Sequence, residues 1–165
     1  MVLSLKDLFI GGESIAFDYM LDMSDFEAAP GEFPIREPVN VSGSAVNRAS
    51  VTSINAHAKL IYFTRCDRCL KEIVEQIEVS FTNVLAAAVE HEGDGDIIVC
   101  ENETLDLDEL VVTNIILNLS MKHLCSQGCK GLCPKCGKDL NDGDCDCDKS
   151  YVNPAFSQLR DMIKE

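Results

Sequence analysis

The residues of this chain with the clearest chemical potential are its cysteines, and their spacing is that of metal ligands. Eight of the nine fall into two clusters, a C-x2-C pair and a longer run, which together comprise Cys66, Cys69, Cys125, Cys129, Cys133, Cys136, Cys145 and Cys147. Thiolates presented two residues apart on a tight turn commonly hold tetrahedral zinc. Pro134 and Gly137 favour such a turn within the second cluster. The pattern therefore predicts structural zinc.

The number of zinc ions depends on how the thiols are grouped. Eight clustered thiols are enough for two four-thiolate sites. The last four share a short loop and would most simply form one site, and the first four would form the other. A single site, with one pair drawn from each cluster, is the alternative. The sequence thus predicts one or two ions.

A disulfide framework is the less favoured use of these cysteines. The amino terminus lacks a basic region before an apolar stretch, and Asp7 interrupts its apolar residues, so we do not expect a secretory signal. An uninterrupted apolar run of about 18 residues, which a membrane span needs, is missing too. We therefore expect a cytoplasmic protein with reduced thiols and no membrane partner. A thioredoxin-like role for Cys66 and Cys69 is not favoured, because their flanks resemble two strands.

The net charge of −14 argues against nucleic-acid binding by the chain as a whole, but the charge is uneven. Residues 65–71 and 122–138 together hold seven cations and one acid, which leaves about −20 on the remainder. Compensation of negatively charged thiolate sites is one interpretation of these cations. A local phosphate-binding face is the other, and it would comprise Arg65, Arg68, Lys71, Lys130, Lys135 and Lys138.

A period of two residues predicts strands between residues 38 and 85. Within residues 53–60, apolar side chains share one face and polar side chains the other. A preceding strand is expected at residues 39–48, and a further alternating run extends from Ile73 to Phe81. This pattern indicates a β-meander whose last hairpin turns at Cys66–Cys69, which places the first cysteine pair at a hairpin tip.

The remaining segments predict one main helix and shorter elements. Asp106 with Glu109 three residues later resembles a capping box, and a broad apolar face follows through Leu119. A short strand is expected at residues 97–100, in which Cys100 would be a small buried residue. Residues 90–96 read as an acidic solvated loop, and residues 1–34 as strands with loops. Asn153 and Pro154 favour the start of a final short helix.

Together these elements predict an α+β fold. It would contain an antiparallel β-meander core, a helix after it, a cysteine-rich zinc-binding segment and a short carboxyl-terminal helix. We expect one β-rich part at residues 1–122 and a zinc-binding part at residues 123–165 packed on it.

Signals of catalysis are missing. The sequence shows no Ser/His/Asp or Cys/His constellation and no Gly-rich phosphate loop, and its 28 acidic residues single out no catalytic pair. His57 is expected to be exposed, and His123 is a less favoured metal ligand. We therefore expect no enzymatic activity and no small-molecule substrate.

Three motifs resemble the YceD-like family, the large ribosomal RNA subunit accumulation proteins of bacteria and chloroplasts. They are the hairpin segment 65–70 (RCDRCL), residues 105–111 leading into 116–122, and residues 129–141 (CKGLCPKCGKDLN). The third is typical of the Gram-positive branch of the family. Ser120 departs from the pattern, since proline is expected before Met121.

The resemblance implies a role in ribosome biogenesis. A member of this family would support the accumulation or processing of 23S rRNA by binding precursor RNA or a large-subunit assembly intermediate. The alternative is a zinc-stabilised adaptor that binds a basic partner, such as a ribosomal protein, without contacting RNA; the acidic bulk of the chain suits it.

Overall fold

The computed structural model describes residues 1–11, 14–87 and 97–147 of the chain. In chain order the elements are β1 (Val2–Ser4), α1 (Lys6–Phe9), β2 (Ile15–Leu21), β3 (Val39–Arg48), β4 (Val51–Arg65), β5 (Glu72–Ala86), β6 (Ile97–Val99), β7 (Thr104–Asp106) and α2 (Leu107–Asn118), with a 3-10 turn at Glu101–Glu103 before β7. The predicted α+β fold class is confirmed. The loop expected at residues 90–96, with His91, and the helix expected from Asn153 lie outside the described residues.

The alternating residues form one five-stranded sheet in the order β2–β3–β4–β5–β6. β3 pairs antiparallel with β2 and with β4. β4 and β5 are neighbours, and the turn that joins them contains Cys66–Cys69, as the sequence predicts. A separate two-stranded antiparallel sheet pairs β1 with β7.

Two short elements differ from expectation. The sequence predicts an antiparallel sheet, and for residues 1–34 it predicts strands and loops but no helix. β6 pairs parallel with β5, with Val84 opposite Ile97. A parallel pair requires the chain to travel back from the end of one strand to the start of the next. Because only three residues pair, that distance is short. The single turn α1 buries Leu8 completely. Its four residues are too few to give a helical period that could be recognised in the sequence.

The sheet buries one face, as the period-two pattern requires. Alternate residues of β4 are buried, from Thr52 through Ile54 to Tyr62. Val39, Val41 and Ala45 of β3 belong to the same hydrophobic core. Glu75 interrupts the apolar alternation of β5, and its Oε2 lies 2.9 Å from Nδ1 of His123.

The helix α2 begins where its capping residues predict. The Asp106 carboxylate accepts the backbone N–H groups of Asp108 and Glu109, at 3.0 and 3.4 Å, which satisfies two donors of the first turn. Leu107, Val111 and Ile115 recur every four residues and are fully buried. The buried stripe is narrower than the expected apolar face, because Leu117 remains 76% exposed.

The contacts divide the chain into two compact units. The first unit contains residues 1–64 and 72–123, and the second contains residues 65–71 and 124–165. The tip of the β4–β5 hairpin is therefore grouped with the cysteine-rich segment, although it is far from that segment in sequence. Of the helices that the structure describes, none combines the length and the apolar character that a membrane span requires.

Candidate metal centres

The first cysteine pair lies on a closed turn between β4 and β5. The backbone N–H of Cys66 donates to the carbonyl of Lys71 at 2.8 Å, and the N–H of Leu70 donates to the carbonyl of Cys66 at 2.9 Å. These two bonds narrow the hairpin tip. Cys66 is fully buried, and Cys69 is 5% exposed. The tip therefore presents two thiols from a small, well-bonded loop, which we call the first knuckle (residues 66–71).

A second knuckle (residues 133–138) repeats this pattern in the cysteine-rich segment. The N–H of Cys133 donates to the carbonyl of Lys138 at 2.8 Å, and the N–H of Gly137 donates to the carbonyl of Cys133 at 2.9 Å. Gly137 has φ 72°, a left-handed conformation that glycine adopts without strain. Leu70 occupies the equivalent position in the first knuckle with φ 60°.

The structure brings the eight clustered thiols together as two groups of four. One group is Cys66, Cys69, Cys125 and Cys129, and the other is Cys133, Cys136, Cys145 and Cys147. Within each group the sulfur atoms all lie within 4.8 Å of one another. All nine cysteines, which belong to the described part of the chain, are free thiols. This grouping agrees with the two-site division suggested by the sequence, rather than with one site drawn from both clusters.

The sulfur separations fit a tetrahedral metal ion. The Sγ atoms of Cys66 and Cys129 are 3.8 Å apart, and those of Cys69 and Cys125 are 3.6 Å apart. Zinc–sulfur bonds of about 2.3 Å in a tetrahedron require sulfur atoms about 3.8 Å apart, whereas a disulfide bond is about 2.05 Å long. Each group thus has the ligand number, ligand chemistry and spacing to hold one zinc ion, whose bound role would be structural.

Backbone N–H groups, from the knuckles and from Cys125, favour the ionised form of some thiols. The N–H groups of Cys125, Cys69 and Arg68 lower the pKa of Cys66 to about 6. In the second knuckle the N–H groups of Cys136 and Lys135 likewise lower the pKa of Cys133 to about 6. N–H donors directed at a sulfur stabilise its thiolate, which is the form that binds metal.

Other thiols in the same groups resist ionisation. The hydrogen bond with Cys136, burial and the negative charge of neighbouring thiolates raise the pKa of Cys147 to about 12. Four thiolates at this spacing repel one another. A divalent cation would remove that repulsion, and metal binding would therefore be coupled to proton release.

Side chains outside the sulfur ligands support the first group. Arg68 donates from Nη1 to the carbonyl of Cys129 at 2.7 Å. The side-chain amide of Asn141 donates to the Cys129 sulfur at 3.4 Å, and this bond is the leading cause of the lowered pKa of Cys129. Asn141 was not singled out from the sequence, since an asparagine near a turn usually indicates only turn geometry.

The six cations predicted as a phosphate-binding face differ in their contacts, although all six are exposed. Arg68 is held by Cys129, Lys71 lies 2.9 Å from the Asp139 carboxylate, and Lys138 donates to the carbonyl of Asp144 at 2.8 Å. Within the described part of the chain, the structure gives no side-chain ion pair or hydrogen bond to Arg65, Lys130 and Lys135.

The two histidines within the described residues, His57 and His123, belong to neither thiol group. His123 stacks on Tyr62 with ring centroids 5.2 Å apart and contacts Glu75 through Nδ1. It is therefore placed among residues of the first unit and is not among the grouped metal-ligating side chains. His57 is half-exposed on the polar face of β4, where Nδ1 lies 2.7 Å from the Ser80 hydroxyl.

The chain is similar to a known protein family over most of its length. The model of the family described as large ribosomal RNA subunit accumulation protein YceD matches residues 54–163. The matched region includes both knuckles and all eight clustered cysteines. No solved structure matches the chain significantly.

Individual relatives cover different parts of the chain. An uncharacterized protein of Bacillus subtilis, YlbN, is 23% identical over 155 residues, which are 93% of this chain and 90% of the relative. An uncharacterized protein of Mycobacterium bovis is 30% identical over 102 residues, 59% of this chain and 49% of the relative. The chloroplast protein of Arabidopsis thaliana named large ribosomal RNA subunit accumulation protein YCED homolog 1 is 26% identical over 65 residues, 39% of this chain and 20% of the relative.

Proposed function

The chain belongs to the YceD family of large ribosomal RNA subunit accumulation proteins, and we propose that it acts in ribosome biogenesis as a non-enzymatic, zinc-stabilised factor. In this proposal it supports the accumulation or processing of 23S rRNA by binding precursor RNA or a large-subunit assembly intermediate in the cytoplasm. The family match is the observation that carries the proposal. The paired knuckles and their exposed cations supply a physical basis for it.

Zinc would be a structural component in this proposal. The eight grouped cysteines would bind two ions, and each ion would hold segments that have little apolar surface of their own. Among the described residues of the second unit, the cluster of buried residues consists of Cys66, Cys69 and Cys129, with Leu124 and Leu132 packed against them. So small an apolar cluster contributes little hydrophobic stabilisation, which is why metal binding would supply much of the folding free energy of this unit.

RNA phosphates would be contacted mainly by Arg65, Lys130 and Lys135. The other three predicted cations, Arg68, Lys71 and Lys138, already neutralise or bond to groups of the second unit. Binding an RNA phosphate would require them to give up these contacts. Arg65, Lys130 and Lys135 have no such contact to break within the described residues, so phosphate binding by these cations carries no such cost.

A pull-down from cells tests the RNA proposal. The tagged protein is purified at moderate salt, and the co-purifying RNA is sequenced for wild type and for the triple variant Arg65→Gln, Lys130→Gln, Lys135→Gln. We expect wild type to enrich precursor large-subunit RNA and the triple variant to lose most of it. The triple variant Lys6→Gln, Arg36→Gln, Arg48→Gln is the matched control, because it removes the same number of charges from exposed cations of the first unit. Affinity should also fall steeply with salt concentration.

A second candidate function is an adaptor that binds a basic protein, for example a ribosomal protein, without contacting RNA. The observation that favours it is the net charge of −14, since an acidic surface steers basic partners. Enrichment of ribosomal RNA that survives in the triple variant, but disappears after the ribosomal proteins are stripped, would support the adaptor and contradict direct RNA contact. Complete absence of ribosomal RNA in wild type would contradict the RNA proposal outright.

A further inference from the structure

Asn141 contacts a sulfur of the first thiol group, although in sequence it lies between Cys136 and Cys145 of the second. Its Oδ1 accepts the backbone N–H of Lys130 at 2.8 Å, and its Nδ2 donates to the Cys129 sulfur at 3.4 Å. Because a backbone N–H can only donate, the bond from Lys130 requires Oδ1 on that side and directs Nδ2 towards the sulfur. Cys129 is 2% exposed, so this amide is a donor to a thiol that is shielded from water.

The orientation of the amide is held by Asp139. Its Oδ1 accepts both the backbone N–H and the side-chain Nδ2 of Asn141, at 2.8 and 2.7 Å. Its Oδ2 lies 2.9 Å from Lys71 of the first knuckle. The Asn141 amide is therefore tied at both of its ends, and its donor faces a sulfur of the first thiol group.

Asn141 comes directly after the hairpin that carries Cys133 and Cys136 of the second thiol group. In this second hairpin (residues 130–140), Leu132 bridges Asp139, and the N–H of Leu140 donates to the carbonyl of Gly131 at 2.9 Å. Its tip is the second knuckle. Closing the tip therefore fixes the pairing of residues at the base of the hairpin. Because Asn141 comes next in the chain, this pairing positions its side chain beside Lys130 and Cys129.

We propose that Asn141 is a positioning residue for Cys129 and that it couples the two metal sites. Zinc bound by Cys133, Cys136, Cys145 and Cys147 closes the second hairpin, and the closed hairpin aims the Asn141 amide at Cys129. The N–H···S bond then raises the zinc affinity of the first site. The inference rests on the proposed zinc binding, and it adds that filling the second site strengthens the first.

Zinc affinity in three backgrounds, wild type and two single-site proteins, tests this coupling. The first-site-only protein carries Cys133→Ser and Cys136→Ser, and the second-site-only protein carries Cys66→Ser and Cys69→Ser. Asn141→Asp is made in wild type and in each of these, since aspartate keeps the acceptor for Lys130 but can donate neither to the Cys129 sulfur nor to Asp139. Affinities are measured in the full chain by competition with a chromophoric zinc chelator. Asn141→Ala, which adds no charge, separates loss of the donor from added repulsion.

The expected result is specific to the first site. In the protein with both sites, Asn141→Asp and Asn141→Ala should each weaken the first site about tenfold, a size typical for a residue that supports a metal ligand. In the first-site-only protein, affinity should already be lower, and Asn141→Asp should change it little further. The second-site-only protein should bind zinc equally well with either residue at position 141.

Cobalt spectroscopy gives a readout that general destabilisation would not change. An N–H···S bond stabilises the sulfur electrons, so its loss should move the thiolate-to-cobalt charge-transfer band of the first site to longer wavelength. An unchanged band and affinity in Asn141→Asp would overturn the positioning role. An equal loss in the wild-type and first-site-only proteins would overturn the coupling. Zinc binding in none of the backgrounds would instead overturn the metal proposal on which the inference rests.

Discussion

The ionised carboxylate of Asp108 connects the start of α2 to Tyr19 of β2 and to the amino group of Met1. The Tyr19 hydroxyl donates to its Oδ1 at 2.8 Å, and the ammonium group of Met1 contacts its Oδ2. Burial alone would raise the pKa of Asp108, but these two donors hold it below the ordinary value. The Asp108 carboxylate therefore contributes stability at pH values above about 3.9, and this contribution is lost as pH falls through the lowered pKa.

Replacing Tyr19 with Phe tests this contribution. We expect the pKa of Asp108 to rise towards its ordinary value, because one stabilising donor is removed. The cost at pH 7 should be about 1 kcal/mol, since solvent screens a carboxylate that is more than a third exposed. The difference from wild type should shrink only as pH falls through the lowered pKa of wild-type Asp108, because below that pH the carboxyl is protonated in both proteins. NMR titration of the carboxyl carbon gives the pKa, and urea unfolding gives the stability.

Tyr62→Phe is the control, because Tyr62 is also a tyrosine of the core but has no bond to Asp108. An unchanged pKa of Asp108 in Tyr19→Phe would show that the hydroxyl has no effect on it.

Among the elements, the turn between β3 and β4 is built from unfavourable residues. Arg48 pairs with Val51, so the loop consists of Ala49 and Ser50 alone. Both have positive φ, 52° and 67°, as a type I′ turn requires. Side chains with a Cβ are strained in this conformation, and Asn-Gly is the preferred pair.

Changing this loop to the preferred pair should stabilise the hairpin. We expect Ala49→Asn with Ser50→Gly to increase the free energy of unfolding by about 1 kcal/mol, because the gain from relieved strain exceeds the added entropy of the unfolded glycine. Ser50→Val should have the opposite effect, since branching at Cβ adds strain. Thermal and urea unfolding measure both variants. Equal stability of all three proteins would contradict the strain argument.

At the scale of the whole molecule, the two thiol groups differ in what they connect. Cys66 is fully buried in the group that joins residues 66–69 to residues 125–129, whereas Cys145 is half-buried in a group formed within residues 133–147. Loss of a site that closes a long loop removes more folding free energy than loss of a local one. The two sites should therefore make unequal contributions to the stability of the chain.

Native mass spectrometry and melting curves check this difference. We expect two zinc ions per wild-type chain and one in Cys66→Ser or Cys145→Ser. Cys66→Ser should lower the melting temperature markedly, and Cys145→Ser should lower it less. Chelation of both ions should reduce stability on the order of 10 kcal/mol or unfold the second unit. One ion in wild type, or equal melting losses in both variants, would refute the division into two unequal sites.

Local sequence was enough to predict the features that depend on neighbouring residues. The hairpin at Cys66–Cys69 follows from period-two strands on both sides of a C-x2-C pair, and the start of α2 follows from the Asp106 cap. These features arise from short-range geometry: the alternation of side chains along a strand and the unpaired N–H groups of a first helical turn. The identities of the candidate zinc ligands were also available, since thiol spacing is a local property.

Tertiary structure alone decided which distant groups meet. It selected the two-group arrangement over a single mixed site by bringing Cys125 and Cys129 beside Cys66 and Cys69, paired β6 parallel to β5, and set the Asn141 amide on Cys129. It also separated the cations held by acceptors, such as Lys71, from those without such a contact among the described residues, such as Lys135. Spacing along a chain does not encode these outcomes, because they depend on how loops close and on which polar groups must be satisfied once the segments come together.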